Sequence, residues 1–199
     1  MDEQSTPEVM DGPEEEPQGS VGRWVLEWVV IIALAFGLAF LFNTFVAGYY
    51  IVPTGSMLET IQLDDRLVGE KVSYRFREPA RGDIVTFIDP RDGTTLLCKR
   101  VIATGGQTLD LRDGTVYVDG QALDEPYTGG KPSNPLSDYA SILPGPITYP
   151  YQVPEGYLWV MGDNRTNSKD SRYFGAVPVS DVTSHAVWTI WPPKDFGTL

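Results

Sequence analysis

The sequence predicts a mainly β protein, built of antiparallel sheets with an extended ribbon and preceded by one membrane-spanning helix. Three observations support this prediction: a long apolar run near the amino terminus, short β-branched and aromatic runs after it, and Asp-Gly pairs between those runs. The 20 glycines and 16 prolines among 199 residues favour turn-rich β structure over helices. With 42% hydrophobic residues, the chain can form a folded core.

Composition excludes several classes of function. The formal net charge of −12 makes the chain a poor general nucleic-acid binder, because phosphate binding needs clustered cations. A single cysteine, Cys98, excludes an intramolecular disulfide framework and a cysteine-rich zinc site. A single histidine, His185, limits imidazole chemistry to one position, where alternation predicts a residue on the surface of a strand.

Residues 1–23 are predicted to form an acidic, disordered tail. The first 22 residues hold seven acidic side chains, three prolines and no lysine or arginine. Such a segment cannot bury enough apolar surface to become ordered. Without it the net charge is −5, so most of the acidity belongs to the tail, which we interpret as a solubilising leader rather than a docking motif.

Residues 24–49 are predicted to form a single transmembrane helix. From Trp28 to Phe42 no side chain is polar, and extension to Gly48 gives 21 residues, about 31 Å of helix. The alternative is a cleaved signal peptide, which would have a basic leader and a shorter apolar run. Arg23 favours a cytoplasmic amino terminus, which places the remainder outside the cytoplasm.

Residues 50–199 are predicted to form one antiparallel β domain. Asp-Gly pairs at positions 92–93, 113–114 and 119–120 are typical of hairpin turns. Further strands are predicted at 50–52, 66–71, 157–161 and 182–191. Residues 127–150, which include five prolines, are predicted to form a long surface loop or extended ribbon.

Two residues of this domain form a candidate catalytic pair. Ser56 follows the apolar helix on a Gly-containing turn, PTGSM, and needs a neighbouring base to act as a nucleophile. Lys99 lies in the strand CKRVIA, whose faces are apolar apart from Lys99 and Arg100, so the strand is predicted to be buried on both sides. Burial favours a neutral lysine amine, which can accept a serine proton. The alternatives are a serine that only shapes the turn and a lysine that extends to water.

A third feature is the polar segment 162–172, GDNRTNSKDSR. It concentrates short hydrogen-bonding side chains and charge pairs, which suits a network that orients a lysine amine. From the residues alone, Ser168 or Ser171 could orient the amine. Asp163 and Asp170 could pair with Arg100, Arg165 or Arg172. The alternative is a loop that satisfies only its own backbone.

In this order, the apolar helix, YYIVPTGSM, CKRVIA and GDNRTNSKDSRYFG resemble bacterial type I signal peptidase, a membrane-bound serine protease that removes secretory signal peptides. The resemblance covers residues 24–199 and implies a β fold of signal-peptidase type. It implies signal peptides of secreted preproteins and a lipid bilayer as partners. We expect no nucleic acid, metal or cofactor, and we favour a monomer.

The resemblance also implies roles for individual residues. Ser56 would be the nucleophile, Lys99 the general base, and the Thr54 hydroxyl would join the Ser56 N–H in an oxyanion hole. Ser168 would orient the lysine amine. The family cleaves after small residues at the first and third positions before the scissile bond, and the matching pocket residues are Tyr50, Val52, Pro53, Ile61, Leu97 and Cys98.

Supporting positions follow the same resemblance. Asp170 and Arg100 would form a salt bridge. Three residues depart from the family's usual pattern: Glu59 replaces a proline, while Gln107 and Thr166 each replace an aspartate. Each departure could alter a supporting hydrogen bond, but none removes a proposed catalytic group.

The sequence therefore predicts a single-pass membrane serine endopeptidase that uses a Ser-Lys dyad. Two other functions stay open. One is an inactive or differently directed member of the same fold, such as a self-cleaving protein like the related Ser-Lys repressor proteases. The other is a membrane-tethered β module that binds peptides without cleaving them.

Overall fold

The computed structural model describes residues 21–199, which divide after Phe40 into two units. Helix α1 runs from Val21 to Phe45. Its residues up to Phe40 are the described part of the amino-terminal unit, and its last turn belongs to the second unit. None of the side chains of α1 is buried, and its best 18-residue window has a mean hydropathy of 2.5. Among the described residues it is the one helix long and apolar enough to cross a membrane.

The bounds of α1 differ from the prediction. The helix begins at Val21, inside the predicted tail, where an ion pair of 3.2 Å joins Arg23 and Glu27 one turn apart. It ends at Phe45 because Ala47 and the residues after it pair with a neighbouring strand. The rest of the predicted tail, residues 1–20, lies outside the described residues.

Residues 41–199 form two antiparallel sheets, which confirms the mainly β prediction. In chain order the strands are β1 (Ala47–Ile51), β2 (Arg66–Glu70), β3 (Ile84–Ile88), β4 (Leu96–Thr104), β5 (Thr108–Arg112), β6 (Thr115–Val118), β7 (Gln121–Ala122), β8 (Tyr151–Gln152), β9 (Tyr157–Met161), β10 (Val177–Pro178), β11 (Val182–Trp191) and β12 (Gly197–Thr198). The larger sheet has the order β1-β2-β11-β3-β4-β9-β10, with β12 beside β11, and the smaller has the order β7-β6-β5-β8.

The Asp-Gly pairs form turns as predicted. Asp113-Gly114 joins β5 to β6 and Asp119-Gly120 joins β6 to β7. All four residues have positive φ, between 50° and 79°, as the two-residue hairpin turns that favour Asp-Gly require. Asp92-Gly93 lies in the longer loop between β3 and β4, where the Asp92 carboxylate accepts bonds from the Thr94 and Thr95 amides.

The predicted loop at 127–150 has no helix or strand after its first turn, although every residue of it is described. Buried Ser133 and Ala140 anchor it to the domain. A four-residue helix that the sequence did not predict, α2 (Ser171–Phe174), begins at Asp170, whose carboxylate accepts a bond from the Arg172 amide.

Strand β4 is central and is buried on both sides, as predicted. Val101 packs in one core cluster with Phe87, while Ile102 packs in another with Trp159. A third cluster lies under the PTGSM turn and contains Val52, Met57, Ile61, Leu67, Ile84 and Ala186. The site described next is built over this third cluster.

Candidate active site

Ser56 lies in a 3₁₀ helix, Gly55–Met57, that follows β1. Met57 is buried beneath it and fixes the turn to the core. Asn164 binds the turn twice: its side-chain Nδ2 donates to the Gly55 carbonyl at 2.8 Å, and its backbone N–H donates to the Ser56 carbonyl at 3.1 Å. The backbone around Ser56 is therefore held by the 162–172 segment.

The structure brings Lys99 to Ser56. The Lys99 Nζ lies 2.6 Å from Ser56 Oγ and donates a second bond of 3.0 Å to the Cys98 carbonyl. Lys99 is only 3% exposed, and its desolvation lowers the pKa of the amine, which the nearby Asp170 carboxylate partly opposes. A desolvated amine at this distance can accept the hydroxyl proton of Ser56.

His185 has different neighbours. Its Nδ1 lies 3.4 Å from Glu70 Oε1 and its Nε2 lies 3.7 Å from Asp83 Oδ1, while its ring lies against that of Tyr74. The interpretation of His185 as a residue of the strand surface, and not as the base, agrees with these contacts.

An ion pair connects β4 to the 162–172 segment. The Arg100 guanidinium donates from Nε to Asp163 Oδ1 at 2.9 Å and from Nη2 to Asp163 Oδ2 at 2.7 Å. The hydroxyl of Thr60, four residues after Ser56, donates to the same carboxylate at 2.6 Å. Asp163 is fully buried and thus joins the strand that carries Lys99 to the chain that follows Ser56.

Gly162 lies where no side chain fits. A Cβ at this position would lie under 3.0 Å from Ser168 Oγ and from the Ser56 carbonyl oxygen, which real Cβ atoms essentially never show. The Gly162 amide donates to Asp170 Oδ2 at 3.0 Å. A glycine is therefore needed for the 162–172 segment to approach Ser56.

A cavity of about 130 Å³ opens beside the pair. It is lined by Ser56, Lys99 and Thr54, and by all six predicted pocket residues: Tyr50, Val52, Pro53, Ile61, Leu97 and Cys98. Burial raises the pKa of the Cys98 thiol to about 11, which agrees with an apolar wall and not with a reactive thiolate.

Comparison with known proteins identifies the family. A family model described as "Signal peptidase, peptidase S26" matches residues 25–191. This chain belongs to that family. Among curated relatives, the probable signal peptidase I-1 of Synechocystis sp. is 37% identical, with 92% of this chain and 91% of the relative covered. The signal peptidase I of Leptolyngbya laminosa is 36% identical over 88% of this chain and 84% of the relative.

A third relative, the probable signal peptidase I of Mycobacterium leprae, is 33% identical over 92% of this chain and 81% of its own length. A crystal structure of a signal peptidase I from Enterococcus faecalis V583 is 36% identical, covers 55% of this chain and 97% of that chain, and has a TM-score of 0.44. The family model and the three curated relatives show that the chain is an enzyme of the signal peptidase I class.

The structure corrects one ion pair that the resemblance to signal peptidases implied. Arg100 pairs with Asp163 and not with Asp170. Asp170 instead accepts bonds of 2.9 Å from Nε and Nη2 of Arg172. The reason is that the Asp170 carboxylate is already occupied: it caps α2, accepts the Gly162 amide and binds Arg172.

Ser168 and Thr54 both lie at the site, but Ser168 does not bind the lysine amine that it was expected to orient. Ser168 is 8% exposed, and among the described residues its Oγ has no hydrogen-bond partner, Lys99 included. Thr54 is exposed at the edge of the cavity. Their roles in this signal peptidase therefore stay predictions.

The departures from the family pattern have their own contacts. The Gln107 side chain accepts a bond from the Thr104 amide at 3.0 Å and donates to Asp119 at 2.9 Å. Glu59 lies 3.6 Å from Lys131, and Thr166 is exposed. None of these contacts includes Ser56 or Lys99.

Sequence reasoning missed Tyr127, which lies between two cations of the site. The Arg100 guanidinium lies 4.1 Å and the Arg165 guanidinium 5.8 Å from the centre of its ring. The Tyr127 hydroxyl donates to Glu125, which also accepts two bonds from Arg165, of 2.7 and 2.8 Å. No local pattern could have identified Tyr127, because its partners come from β4 and the 162–172 segment.

Sequence reasoning also missed Asn164, and a conservative substitution tests its role. Asn164→Asp keeps the shape of the side chain but replaces the donor that faces the Gly55 carbonyl with an oxygen. We expect kcat to fall about ten-fold or more as the Ser56 turn moves. Kinetics on a signal-peptide substrate measure the effect. Asn167→Asp changes an exposed residue of the same segment and is the control, while equal rates for both variants would contradict this role.

Proposed function

We propose that this protein is a membrane-bound serine endopeptidase that cleaves amino-terminal signal peptides from exported preproteins with a Ser56-Lys99 dyad. The observation that carries the proposal is the 2.6 Å separation between a buried lysine amine and a serine hydroxyl at the edge of an apolar cavity. Membership of the signal peptidase family supports the substrate class.

The reaction would proceed in two stages. Neutral Lys99 takes the hydroxyl proton while Ser56 Oγ attacks the scissile carbonyl carbon, which forms a tetrahedral oxyanion. The Ser56 N–H and the Thr54 hydroxyl stabilise that oxyanion. Protonated Lys99 then gives its proton to the departing amine, which leaves an acyl-enzyme ester on Ser56.

Deacylation returns the enzyme to its starting state. Neutral Lys99 now removes one proton from water, which attacks the ester carbonyl, and this proton returns to Ser56 Oγ as the carboxylic acid product leaves and releases its own proton to solvent. Ser168 would orient the amine, since its buried Oγ has a free donor and acceptor among the described residues.

The sheet edge and the cavity suit a peptide substrate. Within residues 21–199, strand β1 pairs with β2 alone, so an extended peptide can add to its other edge. The apolar cavity would take the small side chains at the first and third positions before the scissile bond. Helix α1 would hold the enzyme in the membrane, with its amino terminus in the cytoplasm and the β domain outside.

Two single substitutions test this proposal. With detergent-solubilised protein and a preprotein, Ser56→Ala and Lys99→Ala should each lower the rate of processing by at least about 1,000-fold, because each removes one half of the dyad. Ser141→Ala and Lys194→Ala change exposed residues of the same types and should process normally.

Two outcomes would contradict the proposal. Normal processing by both dyad variants would exclude the dyad. An unmodified chain that binds the preprotein but never cleaves it would favour a peptide-binding module instead.

A further inference from the structure

Four hydroxyl side chains form a continuous row at the wall of the cavity. Tyr50 Oη lies 3.1 Å from Ser184 Oγ, which lies 2.6 Å from Thr86 Oγ1, which in turn lies 2.7 Å from Thr183 Oγ1. We call these four residues the hydroxyl row. Tyr50 and Thr86 both line the cavity that Ser56 and Lys99 share, although most of that cavity is apolar.

Strand register and two glycines assemble the row. Thr86 on β3 pairs with Ser184 on β11, so their side chains lie on the same face of the sheet. Tyr50 reaches Ser184 across β2 at Gly69, where a Cβ would lie under 3.0 Å from both side chains. A Cβ at Gly48 would likewise lie under 3.0 Å from Tyr50 Oη, so glycine leaves this hydroxyl uncovered.

The row satisfies its own hydrogen bonds in one direction, because Ser184 Oγ donates to Tyr50 Oη. Thr86 and Thr183 can each donate or accept, so Thr183 can donate to Thr86 and Thr86 to Ser184. This direction leaves the Tyr50 proton free.

The row can therefore offer the Tyr50 proton to a ligand. A hydroxyl group on the ligand can accept it, whereas an aliphatic group of the same shape cannot. The polar wall thus distinguishes threonine from valine, and serine from alanine.

We propose that the hydroxyl row makes this enzyme selective for a serine or threonine side chain at the third position before the scissile bond. The proposal rests on the proposed function. Alternate side chains of an extended peptide point the same way, so the first and third both enter the cavity. Tyr50 and Val52 both line the cavity, and Tyr50 lies farther from Ser56 along the chain. A peptide that pairs with β1 and has its scissile bond at Ser56 would therefore place its third side chain nearer the row than its first.

Peptides that differ only at the third position test the proposal. The full-length chain in detergent is assayed with threonine, valine, serine or alanine there, and kcat/KM is compared within each isosteric pair. We expect threonine to exceed valine, and serine to exceed alanine, by about three- to ten-fold, the usual contribution of one hydrogen bond.

Variants show whether the row causes the preference. Tyr50→Phe and Thr86→Val should each bring the ratio of threonine to valine close to one. Thr189→Val removes a buried hydroxyl from β11 that is outside the row, and it should keep the ratio of the unmodified enzyme. Thermal unfolding measurements check that each variant folds. The comparison of serine with alanine uses only the unmodified enzyme, so it tests the selectivity even if a variant does not fold.

Several results would overturn the proposal. Equal rates within both pairs would exclude the selectivity, as would a preference confined to the first position. A preference that persists in Tyr50→Phe and in Thr86→Val would exclude the row as its cause. If the enzyme cleaves none of the four peptides, the proposed function is overturned, and this selectivity with it.

Discussion

Lys99→Met is expected to abolish cleavage and at the same time to stabilise the protein. Methionine fills a similar volume without a charge, so kcat should fall by at least about 1,000-fold, because no base is left beside Ser56. The stability should rise because the buried amine resists protonation, as the lowered pKa of Lys99 shows. Preprotein processing and thermal unfolding at pH 7 measure the two effects.

The gain in stability should depend on pH in a defined direction. Since the folded-state pKa of Lys99 lies below its ordinary 10.5, the unfolded chain binds more protons between the two values. The charged amine therefore lowers the free energy of unfolding by its full amount below the folded-state pKa. This loss of stability disappears as the pH rises towards 10.5. The difference in stability between Lys99→Met and the unmodified protein should shrink over the same range.

Activity should follow the same titration. The kcat/KM of the unmodified enzyme should rise with pH as Lys99 loses its proton, with a midpoint below 10.5. Lys99→Arg tests the base, because a guanidinium stays charged at any working pH. Full activity of Lys99→Arg, or an amine shown by NMR to stay cationic beyond pH 9, would refute the dyad.

Gly162→Ala should also lower activity strongly, nearly as much as Lys99→Met, although it adds a single methyl group far along the chain from Ser56. The new Cβ would overlap the Ser56 carbonyl oxygen and Ser168 Oγ, so the backbone that carries the nucleophile must move. We expect kcat to fall about 100-fold or more, since displacements of about 1 Å in an active site have effects of this size. Single-turnover kinetics on a signal-peptide substrate measure the change.

Gly145→Ala is the matched control. Gly145 has no atom near the position of a Cβ, and the substitution should leave activity as it is. Equal activity of both variants would show that Gly162 does not limit the approach of the 162–172 segment to Ser56.

Local sequence was sufficient to predict the fold where a single residue pattern determines the structure. Apolar length predicted α1, Asp-Gly predicted the two short hairpins, and alternation with two apolar faces predicted that β4 is buried. The carboxyl end of α1 was misplaced because Ala47 to Tyr49 are apolar enough for a helix, and only their pairing with β2 makes them a strand.

The site was less predictable because its pairs are distant in sequence. Ser56 and Lys99 are 43 residues apart, so their residues alone made them candidates for a pair, and the resemblance to a family was needed to favour the pair over its alternatives. For Arg100, both Asp163 and Asp170 were plausible partners. The choice depends on the helix cap at Asp170, a feature of a four-residue helix too short to leave a periodic pattern.

The hydroxyl row was hidden for a related reason. Thr86 and Ser184 are 98 residues apart, and their contact depends on the register between β3 and β11. Cross-strand register cannot be read from either strand alone, whereas the six apolar pocket residues lie close to the recognisable motifs.

The two bonds from Asn164 have a consequence for the timing of activity during biosynthesis. Gly55 and Asn164 are 109 residues apart, so the turn that carries Ser56 is held in place only after most of the polypeptide has been made and folded. The candidate active site is therefore incomplete until the chain has been made as far as Asn164.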